Sequence, residues 1–392
     1  GGQIMPPIMG AAAFLMAEYT GIPYSRIAVL AILPAILYFA GIYIAVHLEA
    51  KKLGLQGLDK DSLPKFSYLV KKLYLLTPLV VLVVLVSNGT RTMQSSAAIA
   101  ILVTILVGLF NSDNRITLGK IIDALEAGGK GTITVASACT MAGIVAGCIT
   151  STGLASKLLR AIVSASGGVM IVALLLTMVC CIVLGMGVPT TATYCIMAAT
   201  CAPILIQLGV PLVCAHFFVF YFGILADITP PVALAAYAGS AIAKSRPMRT
   251  AFNATRLGIA AYIIPFIFAF FPAMIMQGEV EIPIWLAVLN TVMAGCGLYS
   301  IAAGLQGYLF QKINPVFRVI SVIAGVVIMI PIGSVTEMYT IVINLIGFAV
   351  IAAITFIQRA LGKRNNNGGS DDSNHNDDQG SDSVQTPSGQ TA

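Results

Sequence analysis

Two short segments of the chain combine residue types that could bind a cation inside a membrane. Residues 185–192 read Gly-Met-Gly-Val-Pro-Thr-Thr-Ala, and residues 226–233 read Ala-Asp-Ile-Thr-Pro-Pro-Val-Ala. Glycine and proline interrupt a helix and free backbone carbonyl groups, while threonine hydroxyls and one carboxylate add further oxygen ligands. Such oxygen atoms suit a hard monovalent cation such as Na⁺. The predicted ion-binding residues in these segments are Gly185, Gly187, Thr190, Asp227 and Thr229.

The same breaks could bind the carboxylate of a substrate, because the N-terminus of a half-helix carries partial positive charge. Two such N-termini are expected, one near Thr190 and one near Val232. The predicted substrate-binding residues lie next to these two N-termini. They also include Pro6-Pro7 near the start of the chain, a pair that resembles Pro230-Pro231. They are Thr191, Thr193, Pro189, Pro230, Pro231, Pro6 and Pro7.

A purely structural interpretation of these residues stands beside the functional one. Glycine and proline could kink packed helices, with each threonine hydroxyl bonded to the carbonyl four residues earlier. Asp227, the one formal charge in residues 161–243, could cap a helix that begins near Thr229. A carboxylate at membrane depth is costly, however, and therefore indicates a functional site by default. His216 lies in an aromatic stretch and is predicted to be a hydrogen-bonded packing residue, not a proton relay.

The composition shows what must position these residues. Of the 392 residues, 58% are hydrophobic and only 10% are charged, whereas soluble domains are roughly a quarter charged. This excess of apolar residues must be solvated by lipid, which excludes a soluble enzyme, a disordered protein and a nucleic-acid-binding module. No phosphate-binding loop, metal-ligand cluster or nucleophile–histidine–acid set occurs in the sequence. We therefore expect neither an enzyme nor an organic or transition-metal cofactor.

The predicted fold is an all-α polytopic membrane protein, because uncharged windows of about 20 residues recur along the chain. Residues 168–207 would span about 60 Å as one helix, so a break near Pro189 predicts a re-entrant hairpin. Residues 211–243 are then a broken membrane-crossing helix. The reverse order, a crossing followed by a hairpin, satisfies the same loop charges. Residues 116–125 are predicted to form a separate amphipathic helix at the interface.

The lysines and arginines of the loops predict an orientation. The 49–72 loop, the loop around Arg249 and the C-terminal tail are expected on the cytoplasmic side, and Arg91 on the outer side. An internal repeat at an offset of 224 residues relates Pro6-Pro7 to Pro230-Pro231. Loop charge sends the helices that follow the two pairs in opposite directions, which indicates an inverted repeat, the construction of secondary transporters.

Composition also divides the chain into parts. Its first residues already resemble the middle of a membrane element, so an N-terminal part is expected to be missing. The predicted organisation, in chain order, is half of a broken helix of the first repeat (1–25), scaffold spans with cytoplasmic connections (26–131), a second repeat (132–278), additional spans (279–358) and a disordered tail (359–392).

Three motifs resemble the large permease of tripartite ATP-independent periplasmic (TRAP) transporters. They are Gly-Gly-Gln-Ile-Met-Pro-Pro-Ile-Met-Gly-Ala-Ala-Ala-Phe at residues 1–14 and the two segments at 185–192 and 226–233. The sequence is most similar to TAXI-type permeases, in which the small and large membrane subunits are fused. The resemblance extends from residue 1 to about residue 358 and does not include the tail.

The resemblance implies an elevator-type transporter with a scaffold and a moving domain. Na⁺ would drive uptake of a small carboxylate delivered by a periplasmic TAXI-type receptor, with the small permease portion fused upstream. It also implies that the break at Gly1–Pro6, with Gly2 as an ion-binding residue, belongs to a first ion site. By this resemblance, the family's first hairpin and the scaffold before it are expected to be missing from this sequence.

Two other functions remain open at this stage. One is a receptor-independent Na⁺ or H⁺ symporter of related fold. The other is a membrane scaffold or passive channel that does not carry out coupled transport. Proteins of both kinds would be embedded in the lipid bilayer, and neither kind would bind nucleic acid.

Overall fold

The computed structural model describes residues 1–6, 9–57, 63, 65–88, 91–111, 116–275, 284–330 and 338–368. Within these residues the regular secondary structure is helical. Two short 3₁₀ segments occur, at Leu73–Leu76 and Pro272–Ile275. The α-helices are α1 (Gly10–Thr20), α2 (Tyr24–Lys52), α3 (Phe66–Lys71), α4 (Thr77–Ser87), α5 (Met93–Leu109), α6 (Leu118–Ser151), α7 (Leu154–Ser166), α8 (Met170–Gly185), α9 (Thr190–Thr200), α10 (Ala202–Gln207), α11 (Leu212–Leu225), α12 (Leu234–Ile242), α13 (Pro247–Leu257), α14 (Ile259–Phe270), α15 (Ile284–Gln306), α16 (Pro315–Ile328) and α17 (Met338–Gly368).

The helices confirm the predicted class, an all-α polytopic membrane protein. A helix satisfies its own backbone hydrogen bonds, which is what hydrocarbon surroundings demand of a spanning segment. Four stretches of the described chain are long and apolar enough to cross a bilayer, and two bent helix pairs raise the number to six. The four stretches are Tyr24–Lys52, Thr190–Gln207, Trp285–Gln306 and Tyr339–Ala360.

One predicted boundary is absent from the structure. The sequence predicts a separate interfacial helix at 116–125 and a span that begins at residue 131, but α6 runs through both as one helix of 34 residues. The glycines at 128, 129 and 131 do not break it, since each costs a helix only about 1 kcal/mol and no proline occurs in the stretch.

The centre of the molecule is α11. Twelve of its fourteen residues are buried, including an aromatic series that packs against α14. Ring pairs with centroids 5.4–6.4 Å apart join the two helices, among them Phe218 with Phe266 and Phe222 with Tyr262. Edge-on aromatic pairs of this kind fix the relative position of two helices more firmly than aliphatic contacts do. The helix break that follows α11 is therefore held on a rigid support.

The two halves of the predicted repeat each have a left-handed residue before a helix, at the same offset. Met9 and Ala233, which are 224 positions apart, both precede a helix with positive φ angles of 45° and 36°. The amide of Met9 donates to the carbonyl of Met5 (3.3 Å), and the amide of Ala233 donates to the carbonyl of Thr229 (3.2 Å). A left-handed conformation is uncommon outside glycine, so its recurrence at equivalent positions supports a structural duplication.

The long helices that follow the two breaks run antiparallel. Gly41 of α2 packs directly against Ala260 of α14. Further along α2, a Glu49 carboxylate oxygen lies 3.2 Å from a guanidinium nitrogen of Arg256, which precedes Ala260 in the chain. As the position on α2 increases, its partner's position on α13–α14 decreases. This arrangement is the one that an inverted repeat requires.

The repeat also explains where the second copy bends. Both copies contain a proline within this helix, Pro34 in α2 and Pro265 in α14, but the two are not equivalent at the 224-residue offset. Pro34 corresponds instead to Gly258, where α13 and α14 meet at an angle of 40°. At this position the first copy has a proline within one continuous helix, whereas the second copy has a glycine where two helices meet.

Candidate functional site

The first helix break lies between α8 and α9. It extends over residues 186–189, and Gly187 adopts a left-handed conformation with φ of +74°. The break has few internal hydrogen bonds: the amide of Val188 donates to the carbonyl of Gly185 at 3.4 Å. Within the described chain, the carbonyls of Met186 and Gly187 accept no backbone hydrogen bond. The predicted supply of free carbonyl oxygens is therefore present.

The second break lies between α11 and α12 and is longer, covering residues 226–233. A loose turn begins it, with the amide of Asp227 donating to the carbonyl of Ile224 at 3.1 Å. The carbonyl of Asp227 then accepts a bond of 3.0 Å from the amide of Ala235, inside α12. This bond folds the break back onto the start of α12; Pro231 within the break is exposed and Pro230 is half-buried.

The structure brings the two breaks together. A Cβ atom at Gly185 would lie 3.0 Å from the Cβ of Ala226 and 3.2 Å from the carbonyl oxygen of Gly223. At Gly187 a Cβ would lie 3.9 Å from a methyl group of Val232. Only a residue without a side chain permits the first approach. The glycines therefore serve close packing between the hairpin and α11 as well as the break itself.

The threonines divide into two groups by their hydrogen bonds. Thr193 is buried and its hydroxyl donates to the carbonyl of Val188 at 3.1 Å, closing the first break. The hydroxyl of Thr229 lies 2.5 Å from both the Leu225 carbonyl and the Tyr262 hydroxyl. Thr190 and Thr191 are half-buried, and their hydroxyls have no partner in the described part of the chain. The last two remain available to a ligand, whereas Thr193 and Thr229 mainly hold the breaks in shape.

The Asp227 carboxylate does not cap a helix. The residue that precedes α12 is Ala233, which provides no side-chain cap, and α12 begins at Leu234 instead of near Thr229. Asp227 is half-buried, and among the described residues no hydrogen-bond donor or cation contacts its carboxylate. An unpaired carboxylate in one break and free carbonyl groups in the break that meets it are an arrangement that suits a bound cation.

The equivalent site at the start of the chain contains a residue that sequence reasoning missed. At the 224-residue offset Gln3 corresponds to Asp227, and its side-chain carbonyl oxygen is buried without a hydrogen-bond partner. Gly2 is exposed and Pro6 half-buried, while Pro7 lies outside the described residues. No hydrogen bond joins residues 1–6 to residues 185–191 within the described chain. The two breaks of the second half contact each other directly.

The buried histidine packs as predicted. His216 Nδ1 and the Tyr194 hydroxyl are 2.7 Å apart, a hydrogen bond that joins α11 to α9. Tyr194 also meets Tyr19 of α1 and Phe220 of α11 edge-on, with ring centroids 6.1 Å and 5.9 Å away. Three helices around the two breaks are therefore tied to one tyrosine.

Comparison with known proteins identifies the family. The model of the DctM component of tripartite ATP-independent periplasmic transporters matches residues 1–282, which contain both breaks and both copies of the repeat. Among curated proteins, none matches the chain. Within the described residues no group of three or more histidine, cysteine, aspartate or glutamate side chains forms a metal site. The chain therefore belongs to the DctM family, the large permease component of TRAP secondary transporters in the inner membrane.

Proposed function

We propose that this permease uses a Na⁺ gradient to import a small organic acid that a periplasmic receptor of the TAXI type delivers. The small permease portion would be fused upstream. The observation that carries the proposal is the meeting of two helix breaks, at Gly185 against Ala226 and at Gly187 against Val232. Broken helices that meet near the bilayer midplane are where secondary transporters bind their ion and substrate.

The proposed Na⁺ ligands come from both breaks. The free carbonyls of Met186 and Gly187, the hydroxyl of Thr190 and the unpaired carboxylate of Asp227 supply the oxygen atoms. The closeness of the breaks supports this assignment, because one ion could bridge them and hold the hairpin against α11. Gln3, the counterpart of Asp227, is proposed to contribute its unpartnered oxygen to a second, uncharged site in the first repeat.

The substrate carboxylate is proposed to bind at the N-terminus of α9. The first amide groups of α9 have no carbonyl partner within the helix, and the hydroxyls of Thr190 and Thr191 stand beside them. The exposed prolines Pro189 and Pro231 border the same opening. Neighbouring sites for an anion and a cation would couple the two, since each ligand offsets the charge of the other.

Transport is proposed to proceed by an elevator movement. The antiparallel packing of α2 against α14, with Gly41 against Ala260 and Glu49 at Arg256, supports two repeats of opposite orientation. A domain that contains the breaks could therefore present the same site first to one side and then to the other. Alternating access of this kind is the usual consequence of an inverted repeat.

Reconstitution of the complete permease into proteoliposomes tests the proposal. We expect uptake of a labelled organic acid only when the receptor is present outside and a Na⁺ gradient points inward. The matched controls are the same vesicles with K⁺ in place of Na⁺, and vesicles in which an ionophore has removed the gradient. Uptake that persists without the receptor would favour a receptor-independent symporter, and uptake that ignores the gradient would favour a channel.

A further inference from the structure

A large cavity lies away from the two breaks of the second half, between α1 and the start of α2 on one side and α4 and α5 on the other. Its volume is about 1140 Å³, and its walls are mostly apolar. Small-molecule pockets usually measure roughly 300–1,000 Å³. The cavity therefore exceeds what a small carboxylate would need, and its size and walls fit a long hydrocarbon chain better.

One face of α4 provides much of the apolar wall. Leu79, Leu82, Val83 and Val86 line the cavity, and Phe14 of α1 stands opposite them. An empty cavity of this size would lose dispersion contacts along its whole lining, while water would find few polar partners on these walls. In a membrane, lipid hydrocarbon is the abundant apolar material that can fill it.

Two opposite charges line the same cavity. Arg91, just before α5, and Glu18, near the end of α1, both border it. Both side chains are exposed, and neither has an ion pair or hydrogen bond to any described residue. Loop charge places Arg91 on the outer side of the membrane, where headgroups lie. An arginine matches a phosphate and a carboxylate matches an ammonium group, so the pair complements a zwitterionic headgroup.

We propose that this cavity binds one membrane phospholipid, with an acyl chain against α4 and its phosphate at Arg91. In phosphatidylethanolamine the ammonium group would lie at Glu18. The lipid would fill the gap between the α4–α5 pair and the helices of the first repeat. The proposal does not depend on the transported substrate or on the coupling ion.

The amount of phospholipid that the purified full chain retains tests the proposed lipid binding directly. The protein is extracted from membranes that contain phosphatidylethanolamine and phosphatidylglycerol, washed in detergent, and its bound lipid is counted by native mass spectrometry. Val83→Trp fills the cavity and should lower retention about tenfold, the effect of a loss of about 1.4 kcal/mol. The matched control is Val84→Trp, one residue along α4 on a half-exposed face outside the cavity, which should retain lipid as the unmodified chain does.

The headgroup contacts are tested by substitutions of exposed residues, which leave the packing of the fold intact. Arg91→Gln should lower retention of both phospholipids about tenfold, whereas Arg26→Gln, exposed but outside the cavity, should change neither. Glu18→Gln should reduce phosphatidylethanolamine relative to phosphatidylglycerol. Equal retention by Val83→Trp and Val84→Trp, or by Arg91→Gln and Arg26→Gln, would overturn the proposal. Displacement of the lipid by a short-chain carboxylate such as acetate would also overturn it, because the cavity would then be a solute site.

Discussion

At the scale of single residues, the glycines at the first break allow the hairpin to pack closely against α11 and the second break. Gly185 has little room for a side chain, since the Cβ of Ala226 and the carbonyl of Gly223 lie 3.0 Å and 3.2 Å from where its Cβ would be. A methyl group there would require α11 to move by a few tenths of an ångström away from the hairpin.

We predict that Gly185→Ala lowers the free energy of unfolding by about 1–3 kcal/mol, the usual cost of overpacking. Thermal unfolding of the purified protein in detergent measures it. Gly239→Ala is the matched control, because Gly239 lies in α12 with open space where a Cβ would be, and alanine favours a helix by about 1 kcal/mol. Equal effects of the two substitutions would show that the contact at Gly185 does not constrain the hairpin.

The positive φ of Ala233 gives a second prediction. Glycine adopts this conformation without strain, so Ala233→Gly should raise the free energy of unfolding by about 0.4–1 kcal/mol. The side chain is a single methyl group, which keeps the loss of packing small. Ala238→Gly, within the regular part of α12, should instead destabilise the protein by about 1 kcal/mol. If Ala233→Gly destabilised as much as Ala238→Gly, the left-handed conformation would not be part of the native break.

The sequence predicts the break residues well because glycine and proline have local meaning. The segments 186–189 and 226–233 are non-helical, as the motifs indicate. The hydrogen-bond partner of a hydroxyl group, in contrast, cannot be predicted from the local sequence. Thr193 and Thr190 are three residues apart, yet the Thr193 hydroxyl is bonded inside the break and the Thr190 hydroxyl has no partner among the described residues. Gln3 was not predicted as a site residue because, unlike Asp227, it carries no charge that would be costly at membrane depth. The 224-residue offset that pairs it with Asp227 could have found it.

At the scale of helices, Tyr194 links the second arm of the hairpin to α11. We predict that Tyr194→Phe lowers the free energy of unfolding by about 0.6–1.7 kcal/mol, the range for hydrogen bonds between membrane helices. The ring contacts with Tyr19 and Phe220 would remain, but His216 would be left buried without its partner. Thermal unfolding of Tyr194→Phe, His216→Phe and the double variant gives the coupling energy.

A structural role for His216 requires the two substitutions to be non-additive. The double variant should be no less stable than Tyr194→Phe alone, because no polar group would then be left unpaired. Additive losses would contradict the bond. A change in the pH dependence of transport in His216→Phe would contradict the packing role and indicate a proton relay.

Helix boundaries were predictable where proline or glycine ends a helix and much less so elsewhere. Pro247 begins α13 and Pro23 precedes α2, at equivalent positions of the repeat. The continuity of α6 was not foreseen, because a change from polar to apolar composition does not by itself end a helix. Its polar first part and apolar second part share one backbone, so composition alone could not reveal the boundary.

At the scale of the whole molecule, an inverted repeat would place equivalent residues on opposite sides of the membrane. The contacts of Gly41 with Ala260 and of Glu49 with Arg256 give the antiparallel direction, but the side on which each end lies follows from loop charge. The last described helix, α17, ends at Gly368, and residues 369–392 of the predicted tail lie outside the described residues.

We predict that Arg26→Cys reacts with a membrane-impermeant maleimide from the periplasmic side and Arg249→Cys only from the cytoplasmic side. Both positions are exposed, and both follow a break by a short helix. Labelling of intact cells and of inverted vesicles gives the two accessibilities. The unmodified chain, with its eight native cysteines, supplies the background. Labelling of both positions from the same side would exclude opposite topology of the repeats.

The most direct test of the central claim, that the two meeting breaks form a Na⁺ site, is the Na⁺-dependent shift of the unfolding temperature. A ligand that binds only the native state stabilises it by an amount set by its concentration and affinity. We predict stabilisation by NaCl beyond that by KCl at equal ionic strength, with the Na⁺ affinity about tenfold weaker in Asp227→Asn. Asp123→Asn, at an exposed position of α6, should behave as the unmodified chain does. Equal stabilisation by Na⁺ and K⁺, or an unchanged Na⁺ affinity in Asp227→Asn, would contradict the account.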